Sequence, residues 1–240
     1  MVNLRRVGFD RIIKIEWLDA IAGEMQNEKD VKVLREYLHD LLKNEHPTFE
    51  ARRKTITVLM RIWVFVPEEQ INMRDRALQV IGGASSQERL LIYWGMILLA
   101  YPFFRDIVII IERLCSLQGE FSTSQVARKI QRSWGQRTTV EKAVPRVIRS
   151  LYEWGVIEKT TEPGGYMPSA KIEALATDLE LWFIEAVLKS GDSDFIALDQ
   201  LPNISCAFPF SLGVSVSDLF ESGKFEISQQ GFNRGIITAK

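Results

Sequence analysis

Lys142, Arg146 and Arg149 recur three to four residues apart. At roughly 100° per residue these three cations fall within about 60° of one another on a helix, so they form one basic row. Such a row presents donors and positive charge to phosphate oxygens. The planar fork of Arg146 also suits the two acceptors on a guanine edge. Arg128 and Arg132 repeat the pattern one segment earlier, Arg137 lies between the two groups, and Lys159 follows. Gln136 and Ser133, near the corner between the segments, carry polar groups able to read base edges. The candidate binding residues are therefore Arg128, Arg132, Gln136, Arg137, Lys142, Arg146, Arg149 and Lys159. Seven basic residues stand against one acidic residue between Phe121 and Ser150, in a chain of 30 basic and 31 acidic residues with net charge −1. The surplus is local, as phosphate contact requires.

Catalytic chemistry finds no equivalent pattern. The chain has no phosphate loop, no serine or cysteine nucleophile spaced to a base, no metal-binding histidine pair and no acidic nuclease cluster. Gly82-Gly83 lacks a following lysine, and His39 and His46, the only histidines, have no cysteine nearby. Asp192, Asp194 and Asp199 read as a solvated loop, and Asp218 and Glu221 offer no more. Cys115 and Cys206 are far apart and outside any C-x-x-C pattern, which points to a reducing compartment, the cytoplasm, rather than to a disulfide or zinc framework. The expectation is a non-catalytic protein without metal or cofactor.

A basic row binds only if the opposite face of its helix is anchored. Val140, Val144, Val147, Leu151 and Trp154 supply that face, with Thr138 as N-cap and Glu141 in the capping-box position. Pro145 either kinks this helix or starts it; both choices leave Arg146 and Arg149 exposed. The preceding helix opens at Ser122 with Gln125 three residues on, buries Val126, Ala127, Ile130 and Trp134, and ends at Gly135. Trp134 and Trp154 read as core anchors. A purely solvating role for the cations stands beside the binding one, since Arg149 can pair with Glu153 four residues on.

After Trp154-Gly155, two β-prone stretches flank Pro163-Gly-Gly and read as a hairpin. With a helix at 105–118 in front, the order is helix, helix, helix, hairpin. Here, with Thr123-Ser-Gln-Val-Ala opening the second helix and Leu151-Tyr-Glu-Trp-Gly-Val-Ile-Glu closing the third, residues 103–169 resemble the winged helix-turn-helix superfamily. The resemblance implies a third helix in the major groove of double-stranded DNA and a wing on its backbone. It equally accommodates a winged helix that docks a protein, making the chain an assembly adaptor for other subunits or for a second copy of itself. The arrangement also resembles accessory proteins encoded beside bacteriophage-defence systems; an ordinary transcription regulator is the other expectation.

Around that unit the chain is mainly α. Residues 1–102 read as a helical bundle: Val31, Leu34, Leu38, Leu41 and Leu42 share one face, Ile56, Leu59, Met60 and Trp63 another, and Ser85-Ser-Gln-Glu88 has capping-box spacing. Arg52-Arg53-Lys54 reads as a solvated helix end. The apolar run 90–111 is interrupted by Pro102, Arg105 and Asp106, which favours two buried helices over a membrane span. The amino terminus has no apolar stretch of signal-peptide length. Residues 171–240 are expected to form a helix near 175–189 and a small α+β segment, with 225–228 and 235–238 as paired strands. A reduced second winged helix is one reading of that segment.

Overall fold

The computed structural model describes residues 6–173, 175–191, 193–230 and 234–240. The fold is mainly helical with two small antiparallel sheets. Five helices form the amino-terminal bundle: α1 (Ile15–Asn27), α2 (Val31–Leu41), α3 (Phe49–Trp63), α4 (Ile71–Ile81) and α5 (Ser86–Ala100). Caps set their starts. The Asp30 carboxylate accepts from Lys32 and Val33 amides, Thr48 from Ala51, and both halves of the Ser85/Glu88 capping box are formed. On α2 only Leu34 and Leu38 are buried, and Leu42 follows at the cap. Val31 and Leu41, the first and last residues of the helix, face solvent.

Leu90 to Leu99 of α5 are buried all round the helix, as expected of a helix apolar on every side. At Tyr101 the chain turns by 118° into α6 (Pro102–Gln118), with Pro102 at the first helical position, where its missing N–H costs nothing. Among the described residues no single helix is long and apolar enough to cross a membrane.

The central unit continues through β1 (Phe121–Ser122), α7 (Thr123–Trp134), α8 (Thr138–Glu153), β2 (Ile157–Lys159) and β3 (Gly165–Pro168). Its sheet has the order β1-β3-β2, with Phe121 opposite Tyr166 and Glu158 opposite Met167. The Ser122/Gln125 capping box is complete, and Gly135, at φ 78°, ends α7 in a conformation that a Cβ would strain.

The carboxy-terminal part holds α9 (Thr177–Ser190), β4 (Phe195–Ala197), two 3-10 turns (Leu198–Asn203, Ser205–Ala207), α10 (Val216–Glu221), β5 (Phe225–Gln230) and β6 (Arg234–Ala239). Its sheet order, β4-β6-β5, repeats that of the central unit: the third strand lies between the first two, and a helix precedes the first strand. The tip of the expected hairpin, residues 231–233, lies outside the described residues. A carboxylate pins this part: buried Glu180 accepts from the amides of Gly213 and Val214 at 2.8 and 2.9 Å.

One hydrophobic core runs from Val7 through the bundle and the central unit to Phe210, and a smaller one lies under the second sheet. Trp94 is the hinge of the larger core. Its ring meets Phe104, Trp154 and Phe210 with centroids 5.1, 6.0 and 5.6 Å away, and its Nε1 donates to the Cys206 carbonyl at 2.9 Å. Edge-on aromatic pairs add about 0.5–1.5 kcal/mol each beyond area burial, so this residue ties α5, α6, α8 and the 201–212 loop together. On the opposite side α9 crosses α5 at Gly95, where the Trp182 ring lies so close that a Cβ would come within 2.7 Å of it.

Candidate nucleic-acid interface

The site is the outer surface of α7 and α8. Val126, Ile130 and Trp134 anchor α7; Val140, Ala143, Val144, Val147, Ile148 and Leu151 anchor α8. Trp134 and Trp154 are core anchors, Nε1 of the first donating to Asp106 and of the second to the Ile13 carbonyl, both at 2.8 Å. With one side of each helix fixed, the opposite side must face outward.

One local expectation is corrected. Thr138 is the first helical residue of α8, and Arg137 is its N-cap without a side-chain cap bond, so the Thr138/Glu141 capping box does not form. Of the two readings of Pro145, the one that keeps it inside the helix holds: α8 runs through it from Thr138 to Glu153. Proline removes one amide from the ladder, but the buried residues on both sides, Val140, Ala143 and Val144 before it and Val147, Ile148 and Leu151 after it, hold the two halves in one helix.

Arg128 and Arg132 lie one turn apart on the exposed face of α7, and Lys142 is exposed near the start of α8. None of the three has an ion pair among the described residues. Lys129, beside Arg128, is equally exposed; spacing does not single it out, and its one signal in the sequence is its share of the local charge surplus. Gln136 and Ser133 are exposed at the corner, although the Ser133 hydroxyl donates to the Ile130 carbonyl at 3.2 Å. Arg137 is half-buried and its Nε donates to the Trp134 carbonyl at 3.0 Å.

The other three predicted cations already have partners. Arg149 is exposed but pairs with Glu153 at 2.5 Å, and its guanidinium carbon sits 5.1 Å from the Tyr152 ring centre. Lys159 on β2 places its Nζ 5.1 Å from that same ring. Arg146 departs from the expected exposure: it is half-buried, with Nη1 donating to the Asp10 carbonyl at 2.8 Å. The cause is the segment before α1. Val7, Phe9 and Ile13 are buried, and the Ile13 amide donates to Ser150 Oγ at 2.9 Å, which lays this segment along one flank of α8. The basic row is thus divided, with Lys142 and Arg149 outward and Arg146 bracing the bundle.

Other reactive groups are quiet. Burial pushes the Cys115 thiol up to about 12 and the Cys206 thiol to about 11, so neither is a ready thiolate. No group of three His, Cys, Asp or Glu able to hold a metal occurs among the described residues, and Asp192 lies outside them. What the α7–α8 surface can do is donate hydrogen bonds and present positive charge to an anionic partner. Comparison of the chain with family models, curated proteins and solved structures finds no match.

Proposed function

We propose that the protein binds double-stranded DNA without catalysing a reaction on it, using residues 102–168 as a winged helix-turn-helix. The observation that carries the reading is the exposed set Arg128, Lys129 and Arg132 on α7 and Lys142 on α8, none of them in an ion pair among the described residues, in a chain with net charge −1. Neutralising such side chains costs nothing in intramolecular pairing, and phosphate contact releases counterions from the duplex. The connectivity from α6 to β3, with the first strand beside the third, supports the winged-helix reading. Within it α8 is the reading helix, and Gln136 and Lys142 near its start face base edges. A transcription regulator and a component of a bacteriophage-defence system both use this activity, in the cytoplasm, where free Cys115 and Cys206 stay reduced.

A gel-shift series with random-sequence duplex tests the reading. The native protein should bind, lose affinity steeply between about 50 and 200 mM salt, and lose binding when Arg128 and Arg132 both become glutamate. Absence of a shift at the lowest salt overturns it.

A second reading, an adaptor that docks a protein partner or a second copy, draws on α10. Val216 and Phe220, one turn apart, are 47% and 75% exposed, and that helix contains no cation. Light scattering that shows a stable assembly, lost on Phe220→Ser, supports it; a monomer that carries no partner through purification does not.

A further inference from the structure

The bundle contributes cations to the same side of the molecule as α8. Two open clefts follow the seam between α3 and α8. One, of about 600 Å³, is lined by Arg11, Lys14, Glu50, Lys54, Arg146 and Arg149 among others. The next, of about 500 Å³, is lined by Arg6, Arg11, Arg53, Lys54, Arg137 and Thr139 among others. Arg11 and Lys54 border both, so the clefts form one continuous trough.

Its charge is unbalanced. Each lining carboxylate already faces a cation: Asp10 with Arg11, Glu45 with Lys14, Glu50 with Arg53, and Glu153 with Arg149. Arg6 and Lys54 are left without an ion pair among the described residues, and Arg146 spends its hydrogen bond on a neutral carbonyl and keeps its charge. The first turns of α3 and α8 also open into the trough through Thr48 and Thr139, adding the positive ends of two helices. Cations from three separate stretches of chain therefore converge on one seam, where a solvated helix end would leave Arg53 and Lys54 isolated.

We propose that Arg53 and Lys54 of the bundle, with Arg11, form a second phosphate-contacting row, so that the backbone of a bound duplex runs along the seam between α3 and α8. This rests on the DNA-binding reading and extends it: the bundle is part of the interface, and one strand of the duplex is gripped by two separate elements.

The test is fluorescence anisotropy of the full chain with a random-sequence duplex across a salt series. Variants are Arg53→Ala/Lys54→Ala on the bundle, Arg132→Ala/Lys142→Ala on the central unit, and Glu50→Gln, which removes the carboxylate holding Arg53. All sites are exposed, and circular dichroism reports whether each variant is folded. The bundle variant should bind about tenfold more weakly, and its plot of log affinity against log salt should flatten by about 2, near 0.9 for each phosphate no longer neutralised. Glu50→Gln should bind more tightly than the native chain. If the bundle variant keeps native affinity and slope while Arg132→Ala/Lys142→Ala weakens binding, the seam is wrong and the DNA-binding reading stands. If the native chain does not bind duplex at all, both fall.

Discussion

Arg146 Nη1 donates to the carbonyl oxygen of Asp10 across 2.8 Å, joining positions 136 residues apart in the chain. A guanidinium with a half-buried stem is thereby spent on holding the amino-terminal segment to α8, beside the Ile13–Ser150 and Ile13–Trp154 bonds. The two jobs of the basic row, bracing and binding, fall on different residues.

That division predicts opposite outcomes for neighbouring substitutions. Arg146→Ala leaves the Asp10 carbonyl without its charged donor, a change that costs about 1.5–3 kcal/mol in comparable cases, nearer the lower figure for a half-exposed group. Its denaturant midpoint should fall, and its duplex affinity should fall less than that of Lys142→Ala, by the share of one trough charge that salt screens. Lys142→Ala should keep the native midpoint. Equal loss of affinity in both variants, with unchanged midpoints, would contradict the bracing role.

The α5–α9 crossing gives a second expectation. Alanine in place of a helical glycine gains about 1 kcal/mol of propensity, but at Gly95 the new methyl would meet the Trp182 ring at 2.7–2.8 Å. That ring is fixed by its Nε1 bond to the Met73 carbonyl at 3.1 Å and cannot swing away freely. Overpacking of this kind costs about 1–3 kcal/mol, so Gly95→Ala should be less stable than the native chain despite its better propensity. Gly95→Ala should cost less in a Trp182→Leu background than in the native one, and the double-mutant cycle measures that coupling.

Where local chemistry decides, the sequence is readable. The serine caps at Ser85 and Ser122, the glycine stop at Gly135 and the bend at Pro102 depend on a few adjacent residues, and each lies where spacing places it. The paired strands β5 and β6 are six residues each, long enough for their β-prone character to show. The strands β1 and β4, two and three residues long, are too short for a period of two to appear, and α10, at six residues, is too short for a helical stripe. Its Ser215/Asp218 capping box was the available signal. The largest omission is non-local. Val7 and Phe9 alternate with partly exposed neighbours, which hints at an extended buried segment, but nothing in their spacing says that they lie against α8 and take Arg146 out of the exposed row.

Glu153 offers a test in which removing a charge improves binding. Its carboxylate pairs with Arg149 four residues earlier on an exposed helix face, with the two side chains 34% and 45% exposed. Pairs of this kind contribute only about 0.3–0.5 kcal/mol to stability, so Glu153→Gln should leave the unfolding midpoint nearly unchanged. The substitution deletes a negative charge beside the proposed phosphate path and releases Arg149, which the Tyr152 ring still orients. Duplex affinity should rise about threefold to tenfold at low salt and converge with the native value as salt screens the surface. Weaker binding by this variant would place Glu153 among the contacting groups instead.

His46, which lines the bundle side of the trough, links the stability of the fold to pH. Its Nε2 lies 3.1 Å from the buried Thr55 hydroxyl, and its ring meets Trp17 with centroids 5.5 Å apart. Burial holds its pKa below the ordinary histidine value; Arg11, Lys14 and Arg52 push the same way, and Glu45 opposes them. The unfolded chain therefore takes up this proton at a higher pH than the folded one. Stability tied to neutral His46 is fully present above the ordinary value of about 6.5 and is lost as pH falls through the lowered one. The native melting temperature should accordingly fall more between about pH 7 and pH 5 than that of His46→Gln, whose amide cannot titrate. Parallel melting curves for the two proteins across that interval would show that the folded site tolerates the imidazolium as well as water does.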